Sequence, residues 1–491
     1  MTLPKRSDVL IVGAGPTGLV LAALLRTAGV DVVIVDRANK AGGDSRAALL
    51  HLRALELLDA LGVGDALEAQ GVGVSTAAYF DMGLKVCDLD FASLGSHHSH
   101  ALGIQQHRVE QVLPGRLEEL GGSIWRGNTL TDIEQGEDEV IASVTDARGA
   151  SNSIVARYLV GCDGAQSTVR NLRDLSGNGA ELAEAYAIAD VPIRGEFASD
   201  TMHFYAAASG FAVVSPLPDG LWRLTATLRH IDRIPSREQL QLIINERGPR
   251  TSSVELGPPV AVGRHRIRRT VASSLRDGRV LLAGDSAHTF SPATAQGMNT
   301  GIADAANLAW KLAEVLGGAA QDALLDSYDT ERRHAALAAI QRTDRYSEGL
   351  STANPLARGL RNAIGLLAGH VDKLRLPMIE GLAGFDTHYE DGLVGRSRRV
   401  PGWGEVGKRV EQLPRTLRGH ATFRLLGRND SERRRLKTFA SQFPVQIEVG
   451  VLSTGGDEFA LVRPDDHLAW LGGANRLPEL CELLERWFAV G

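Results

Sequence analysis

The sequence predicts an α/β fold in which a Rossmann-type domain is followed by an antiparallel β-sheet domain and a further C-terminal unit. Residues 1 to about 175 alternate apolar strands with helical segments, a pattern typical of a parallel sheet covered by helices. Residues 176–268 contain short apolar runs separated by turn residues, which indicates antiparallel strands. A chain of 491 residues is long enough for two or three domains.

The first element is an apolar strand, Asp8–Val12, which leads into a glycine-rich turn and a helix that extends to Thr27. In such a turn Gly13 permits the bend and Gly15 lets the backbone approach a pyrophosphate. Gly18 lets the helix pack closely against the strand. The free N–H groups at the helix N-terminus then attract the phosphates.

The second strand, residues 31–35, ends at Asp36. An acid about 20 residues beyond the glycines is placed to accept a hydrogen bond from a ribose hydroxyl. Strand, glycine turn, helix, strand and acid in this order predict a dinucleotide site. The predicted contacts at this end are Gly13, Gly15, Pro16, Thr17, Gly18, Asp36 and Arg37.

A later strand, residues 279–283, ends at Gly284 and Asp285, and a helix is predicted from about Gly301 to Leu316. The Asp285 carboxylate can accept hydrogen bonds from the hydroxyls of a ribitol chain. The segment before the helix, Gly297–Asn299, would direct backbone N–H groups at a flavin pyrimidine, where they would stabilise negative charge formed on reduction. A chain that carries both segments is predicted to bind FAD.

A third motif, Val160–Gly164, continues to Ser167 and Arg170. With the two segments above, it makes the chain resemble the flavoprotein aromatic hydroxylases of the para-hydroxybenzoate hydroxylase fold. Within that group the chain is most similar to the hydroxylases of aromatic polyketides and phenols. The resemblance covers nearly the whole length and implies a GR2-like FAD-binding domain of the Rossmann type.

The resemblance also implies roles for particular residues. Arg46 and Gln106 would contact the flavin and its phosphates, and Asp163 and Arg170 would lie under the cofactor. The antiparallel sheet would roof a substrate cavity. The further cofactor contacts implied are Pro292, Gly297, Met298 and Asn299, and the candidate substrate contacts are His203, Tyr205, Phe211, Trp222 and Arg223.

The function implied by the resemblance is hydroxylation of a phenolic or polycyclic, polyketide-like aromatic substrate by NAD(P)H and O2 through a flavin C4a-hydroperoxide. No catalytic residue is predicted, because the cofactor carries most of the chemistry. Only one dinucleotide fingerprint is present, so NAD(P)H is expected to bind transiently. Two alternatives stay open: the same fold performing Baeyer–Villiger or epoxidation chemistry, and a non-catalytic flavoprotein that holds a ligand.

The predicted domain boundaries make the FAD-binding domain discontinuous, at residues 1–175 and 269–390. The substrate sheet would occupy residues 176–268, and residues 391–491 would form a thioredoxin-like domain, as in some relatives. That last domain has no Cys-x-x-Cys motif, so a structural or oligomerising role is expected.

One departure from the family pattern lies before Gln296. Relatives usually carry two or three glycines there, whereas this chain reads Pro292-Ala293-Thr294-Ala295. Alanine and threonine disfavour positive φ, so the loop that faces the flavin is expected to differ in shape.

Composition excludes several other classes of protein. The net charge is −6 and no large basic face is evident, which argues against nucleic-acid binding. Isolated Cys87, Cys162 and Cys481 favour a reducing, cytoplasmic location. No apolar run reaches the roughly 18 residues of a membrane span. The protein is expected to be a monomer or a homodimer. Three histidines between residues 97 and 100 lack a cysteine or acid at ligand spacing, so no metal is predicted.

Overall fold

The computed structural model describes residues 3–40, 42, 47–177, 179–228, 232–250, 253–400, 403–410, 413, 422–427, 430–451 and 458–488. The strands before residue 178 are β1 (Arg6–Val12), β2 (Val32–Asp36), β3 (Leu49–Leu50), β4 (Val72–Val74), β5 (Thr76–Asp81), β6 (Leu84–Asp90), β7 (Ala101–Gly103), β8 (Ile124–Arg126), β9 (Asn128–Gln135), β10 (Val140–Asp146) and β11 (Ser151–Gly161).

Later strands are β12 (Gly179–Arg194), β13 (Thr201–Ala207), β14 (Gly210–Pro216), β15 (Leu221–Leu228), β16 (Glu255–Leu256), β17 (Ala261–Val271), β18 (Arg276–Asp277), β19 (Val280–Leu282), β20 (His288–Thr289), β21 (Arg399–Val400), β22 (Gly404–Glu405), β23 (Phe423–Gly427), β24 (Ile447–Val451), β25 (Phe459–Val462) and β26 (Leu468–Gly472). The helices are α1 (Pro16–Thr27), α2 (Leu52–Ala60), α3 (Gly64–Glu68), α4 (Gln106–Glu119), α5 (Thr168–Leu172), α6 (Arg237–Arg247), α7 (Gln296–Leu316), α8 (Asp326–Ser351), α9 (Pro355–Ala368), α10 (Asp372–Ala383), α11 (Asp430–Ala440) and α12 (Leu477–Glu485).

The first sheet has a parallel core in the order β19-β11-β1-β2-β8. The antiparallel pair β9–β10 extends it through β11, and β18 closes the edge beside β19. Val9 to Val12 of β1 are all buried, as expected of a parallel strand covered on both faces. The glycine turn and Gly284 therefore leave the same edge of the sheet, at the carboxyl ends of β1 and β19.

The second sheet runs in the order β20-β17-β12-β15-β14-β13-β5-β6, with β16 beside β12. Its neighbouring strands are antiparallel except β13 and β5. Three of its strands, β5, β6 and β20, come from outside residues 176–268. Local patterning cannot reveal this, because a strand's polarity pattern does not say which distant strand it pairs with.

One helix boundary differs from the sequence prediction. α7 begins at Gln296, five residues before the predicted start. α10 ends at Ala383, and Gly384 caps it with φ +76°. A glycine in the left-handed conformation is a common way to end a helix.

A smaller C-terminal sheet has the order β24-β23-β25-β26, with only β23 and β24 parallel. A buried charged network joins it to α7 and α8. Glu331 of α8 accepts hydrogen bonds from Arg463, which follows β25, and from Lys311 of α7, all at 2.8 Å. Among the described residues, no helix combines the length and apolar character needed to cross a membrane.

Candidate active site

The glycine turn after β1 is shaped by close backbone contacts. Gly13 has φ +108°, and a β-carbon on it would collide with the carbonyl of Cys162. A β-carbon on Gly18 would collide with the carbonyl of Gly13. Gly15, in contrast, has no heavy atom within 4 Å of the position of a β-carbon. Gly13 and Gly18 are therefore required by backbone packing. Gly15 leaves open space at the N-terminus of α1, where a phosphate can approach.

Thr17 joins the two segments that lie far apart in sequence. A β-carbon on Gly284, which has φ +67°, would lie 2.6 Å from Thr17 Oγ1, and one on Gly301 would collide with the same oxygen. α1 and α7 also pack against each other. The structure thus brings the glycine turn, the end of β19 and the start of α7 to one place.

A cavity of about 230 Å³ opens beside the glycine turn. Asp36 borders it, while its carboxylate accepts hydrogen bonds from the backbone N–H groups of Ala14 and Ala38, each at 2.7 Å. Asp36 therefore holds the turn in place as well as facing the cavity. The predicted cofactor residues that line this cavity are Gly13, Gly15, Asp36, Arg37 and Asp163.

The middle motif buttresses the cavity. Asp163 accepts hydrogen bonds from Ser167 Oγ at 2.5 Å and from the N–H of Thr168 at 2.6 Å, and so caps α5. Arg170 donates to the carbonyls of Ser286 and Ala165, at 2.8 and 2.7 Å. Arg170 therefore connects the middle motif to the segment that contains Asp285.

A buried aspartate, Asp304, supports the end of β19. Its carboxylate accepts hydrogen bonds from the N–H of Gly284 at 2.9 Å and from Arg332 Nε at 2.7 Å, and it lies 2.7 Å from His288 Nε2. Burial opposes ionisation, but the charges of His288 and Arg332 outweigh it and lower the pKa of Asp304. Sequence reasoning missed this residue, although a lone acid among the apolar positions of a helix was a usable signal.

The start of α7 faces Asp285. A carboxylate oxygen of Asp285 lies 3.8 Å from where a β-carbon of Gly297 would be. Met298 is buried beside it, and Pro292 opens the short 3-10 turn that precedes α7. Asn299 uses its amide within the chain: it donates to the carbonyls of Leu49 and Ala295 and accepts from the N–H of His51. Asn299 thus fastens the start of α7 to β3.

The loop before α7 contains a residue in an unfavourable conformation. Ala295, at the N-cap of α7, has φ +54° and ψ +31°. The Thr294 carbonyl accepts a hydrogen bond from His51 Nε2 at 3.0 Å, and burial lowers the pKa of His51 to about 4, so this ring is neutral. Ala295, which directly precedes α7, thus has the left-handed backbone conformation that glycine would adopt without strain.

We expect Ala295→Gly to raise the free energy of unfolding by about 0.5–1 kcal/mol. Relief of the left-handed strain of about 1–2 kcal/mol exceeds the extra chain entropy of glycine, about 0.5–1 kcal/mol. Urea denaturation checks this, with Ala313→Gly inside α7 as the matched control. The control is expected to lose about 1 kcal/mol. Equal destabilisation of both variants would contradict the prediction.

Gln106 contacts Ala47, the residue that follows Arg46 in the sequence. Its side chain accepts from the N–H of Ala47 at 3.4 Å and donates to Glu110 at 2.8 Å, and Glu110 accepts from the N–H of Gly42. Gln106 and Glu110 therefore hold the backbone N–H groups of Ala47 and Gly42. Arg46 itself lies outside the described residues.

The five candidate substrate residues lie on two opposite faces of the second sheet. His203, Tyr205 and Trp222 face α6, where they pack in an aromatic cluster with Phe80 and Phe197.

Phe211 and Arg223 lie on the other face, which packs with Ala295 and α10. There Arg223 forms a buried bidentate ion pair with Asp190, at 2.5 and 3.1 Å. His107, the second residue of α4, lies close enough for the charges of both residues to act on its pKa. Strand alternation places the candidate substrate residues on opposite faces of the sheet. Only Phe211 and Arg223 lie on the face toward the loop before α7.

The three cysteines are free thiols. Burial raises the pKa of Cys162 well above its usual value, and it raises the pKa values of Cys87 and Cys481 to about 11. All three thiols are therefore protonated at neutral pH, which makes them poor nucleophiles.

The glycine turn, Asp36 and Asp285 together fit FAD. The open side of Gly15 and the adjoining cavity suit a pyrophosphate and its nucleoside, and Asp285 faces the start of α7, where a ribitol chain would run toward the ring. No part of this arrangement requires a second dinucleotide fingerprint.

Comparison with known proteins agrees with this geometry. A sequence family described as an FAD binding domain matches residues 6–343. The chain is 32% identical to the 12-dehydrotetracycline 5-monooxygenase/anhydrotetracycline 6-monooxygenase of Streptomyces rimosus, over 98% of this chain and 99% of that protein. It is also 32% identical to a rifampicin monooxygenase of Rhodococcus hoagii, over 98% of each.

Among solved structures, it is similar to OxyS anhydrotetracycline hydroxylase from Streptomyces rimosus, with a TM-score of 0.76 at 29% identity over 98% of this chain and 99% of that one. The chain therefore belongs to the FAD binding domain family, as one of its flavin-dependent aromatic monooxygenases.

Proposed function

We propose that this enzyme hydroxylates a phenolic or polycyclic aromatic compound of the polyketide type, with NAD(P)H and O2 as co-substrates. The observation that carries the proposal is the close approach of Thr17 to Gly284 and Gly301, which brings the glycine turn, the end of β19 and α7 together. The relatives named above, an anhydrotetracycline monooxygenase and a rifampicin monooxygenase, support the substrate class.

When bound, FAD supplies the transfer of electrons from NAD(P)H to O2. In the proposed site the glycine turn holds the pyrophosphate, and Asp36 and Arg37 hold the adenosine end. Asp285 accepts hydrogen bonds from the ribitol, and the N-terminus of α7 stabilises negative charge on the ring. Asp304 acts through Gly284 by fixing the backbone from which Asp285 projects.

The substrate is proposed to bind on the face of the second sheet that carries Phe211 and the Arg223–Asp190 pair. This face packs against Ala295, just before α7, and against α10, whereas the opposite face packs against α6. Burial lowers the pKa of His107, as does the charge of Arg108. The neutral imidazole of His107 can accept a hydrogen bond from a phenol hydroxyl and so orient the aromatic ring of the substrate.

The domain arrangement is proposed to follow the family. β19 pairs in parallel with β11, which supports a discontinuous FAD-binding domain built from residues 1–175 and 269–390 without β5 and β6. The C-terminal order β24-β23-β25-β26, with one parallel pair joined through α11, supports a thioredoxin-like domain. Its lack of a Cys-x-x-Cys motif supports a structural role.

Product analysis under labelled oxygen tests the proposed function. Phenolic and polycyclic aromatic compounds are screened for faster NAD(P)H oxidation, and the products of active compounds are examined by mass spectrometry under ¹⁸O₂. The expected product is an aromatic ring with one labelled hydroxyl. A ring-expanded lactone or an epoxide would instead support the alternative chemistries, and absence of stimulation across the panel would contradict the proposal.

We expect His107→Asn to raise the KM for the aromatic substrate about tenfold. Loss of one hydrogen bond worth about 1–1.5 kcal/mol produces a change of this size. His203→Asn is the matched control, because burial also lowers the pKa of His203, to about 4, but its ring lies on the α6 face. Steady-state kinetics on folded, FAD-loaded variants check the prediction, and equal KM values for both would contradict it.

A further inference from the structure

A cluster of two histidines and three carboxylates lies at the end of α2, apart from the flavin site. Asp59, in the last turn of α2, meets His97 and His98 from the segment before β7. His97 Nε2 and His98 Nε2 lie 2.7 and 2.9 Å from the same oxygen, Asp59 Oδ2. The three ligand atoms all lie within 4.8 Å of one another.

The outer nitrogens of both rings face further carboxylates. His98 Nδ1 lies 3.3 Å from Glu68 Oε1, and His97 Nδ1 lies 3.8 Å from Glu56 Oε1. Glu56 is itself held by Arg409 and by a 2.8 Å hydrogen bond from Ser96. A histidine that binds a metal through one nitrogen typically presents the other to a carboxylate, which fixes the tautomer and the ring orientation. His98 shows this arrangement, whereas His97 Nδ1 faces Glu56 at a distance too long for a hydrogen bond.

Two of the three side chains in the cluster are shielded from water, whereas His97 lies at the surface. The side chains of Asp59 and His98 are 5% and 6% exposed, and that of His97 is 23% exposed. The rings of His97 and His98 lie 4.2 Å apart. The other oxygen of Asp59 packs against Gly64, where a β-carbon would collide with it. Two imidazoles are thus held with the same nitrogen directed at one carboxylate oxygen.

We propose that Asp59, His97 and His98 bind one divalent transition-metal ion of the zinc type. Two imidazole nitrogens and one carboxylate oxygen are ligands that favour zinc over magnesium or calcium, and water would fill the remaining position. The ion ties the segment that contains His97 and His98 to α2. The ion would thereby cross-link two segments that lie nearly 40 residues apart in the sequence.

Isothermal titration calorimetry tests the site on the FAD-loaded, full-length enzyme prepared without a polyhistidine tag. Zn²⁺ is expected to bind at one equivalent with micromolar or tighter affinity, and Mg²⁺ to produce no binding heat. Asp59→Asn and His97→Asn are each expected to weaken Zn²⁺ binding at least tenfold. His370→Asn, which removes an exposed histidine of the loop between α9 and α10, is the control and is expected to leave the affinity unchanged.

Thermal denaturation supplies a second measurement, because an ion that binds only the folded chain raises the melting temperature. The rise on adding Zn²⁺ should vanish in Asp59→Asn. Should His98→Asn fail to fold, the more exposed His97 still tests the ligand set. Absence of Zn²⁺ binding to the wild type would overturn the proposal, as would binding that both Asp59→Asn and His97→Asn leave unchanged.

Discussion

Replacement of Asp285 by alanine is expected to weaken FAD binding by at least tenfold while the fold persists. The carboxylate faces the start of α7 and is proposed to accept hydrogen bonds from the ribitol. Hydrogen bonds to a charged group are each worth about 1.5–3 kcal/mol, so loss of one suffices for an order of magnitude. Fluorescence titration of the apoenzyme with FAD measures the dissociation constant.

Two companion variants sharpen this experiment. Asp285→Asn keeps one acceptor oxygen without the charge and should bind FAD with intermediate affinity. Asp277→Ala removes a carboxylate that pairs with Arg173 at the edge of the first sheet, and it should retain FAD. Unchanged affinity in a folded Asp285→Ala variant would show that the end of β19 has another role.

Replacement of Glu331 by glutamine is expected to lower the free energy of unfolding by about 3–5 kcal/mol. Glu331 is fully buried and accepts hydrogen bonds from Arg463, Lys311 and Asn307. Removal of its charge leaves the buried Lys311 without its paired anion and leaves Arg463 with Asp465 as its remaining carboxylate partner, which is costly in a low-dielectric interior. Urea denaturation at pH 7 measures the change.

The effect of Glu331 should depend on pH. Burial opposes its ionisation, but Arg463 and Lys311 outweigh burial and lower its pKa from 4.5 to about 2. A carboxyl whose pKa is lower in the folded state contributes stability above its unfolded value, and this is lost as pH falls. The difference between wild type and Glu331→Gln should therefore be full above about pH 5 and shrink as the pH falls from 4.5 toward 2.

Glu314 of α7 is a matched control, because its pKa is shifted in the opposite direction to that of Glu331. Burial raises its pKa from 4.5 to about 7, so its ionisation opposes folding as the pH rises through this range. Glu314→Gln should stabilise the protein at pH 8 by up to about 3 kcal/mol, and by less where solvent screens the charge. Similar destabilisation by both variants would contradict this account of the charged network.

Local pattern was sufficient where backbone chemistry sets the structure. The turn at Gly13 and Gly18 is predictable because only glycine fits where carbonyls approach so closely. β1, β2 and β19 are predictable because strands buried on both faces are apolar throughout. Asp304 shows the limit: its acidic side chain was visible in the sequence, but its partners His288 and Arg332 come from β20 and α8.

Three features depend on contacts between segments that lie far apart in the sequence. β5 and β6 join the second sheet although they lie in the first 175 residues, since pairing with β13 is not encoded in either strand alone. His203, Tyr205 and Trp222 face α6. Strand alternation shows which residues share a face, but only the packing of α6 shows which face it covers. The histidines before β7 lacked an acid in their own segment, and α2 supplies Asp59.

The sequence by itself determined the fold class, the family and the positions of the flavin motifs, because each depends on residues within one short segment and on how their backbone must turn. Only the tertiary structure decided which motifs meet at Thr17, which face of the second sheet adjoins Ala295, and how Glu331 links α7 and α8 to the C-terminal sheet. Those contacts join residues tens to hundreds of positions apart, and their geometry arises from packing that no local pattern contains.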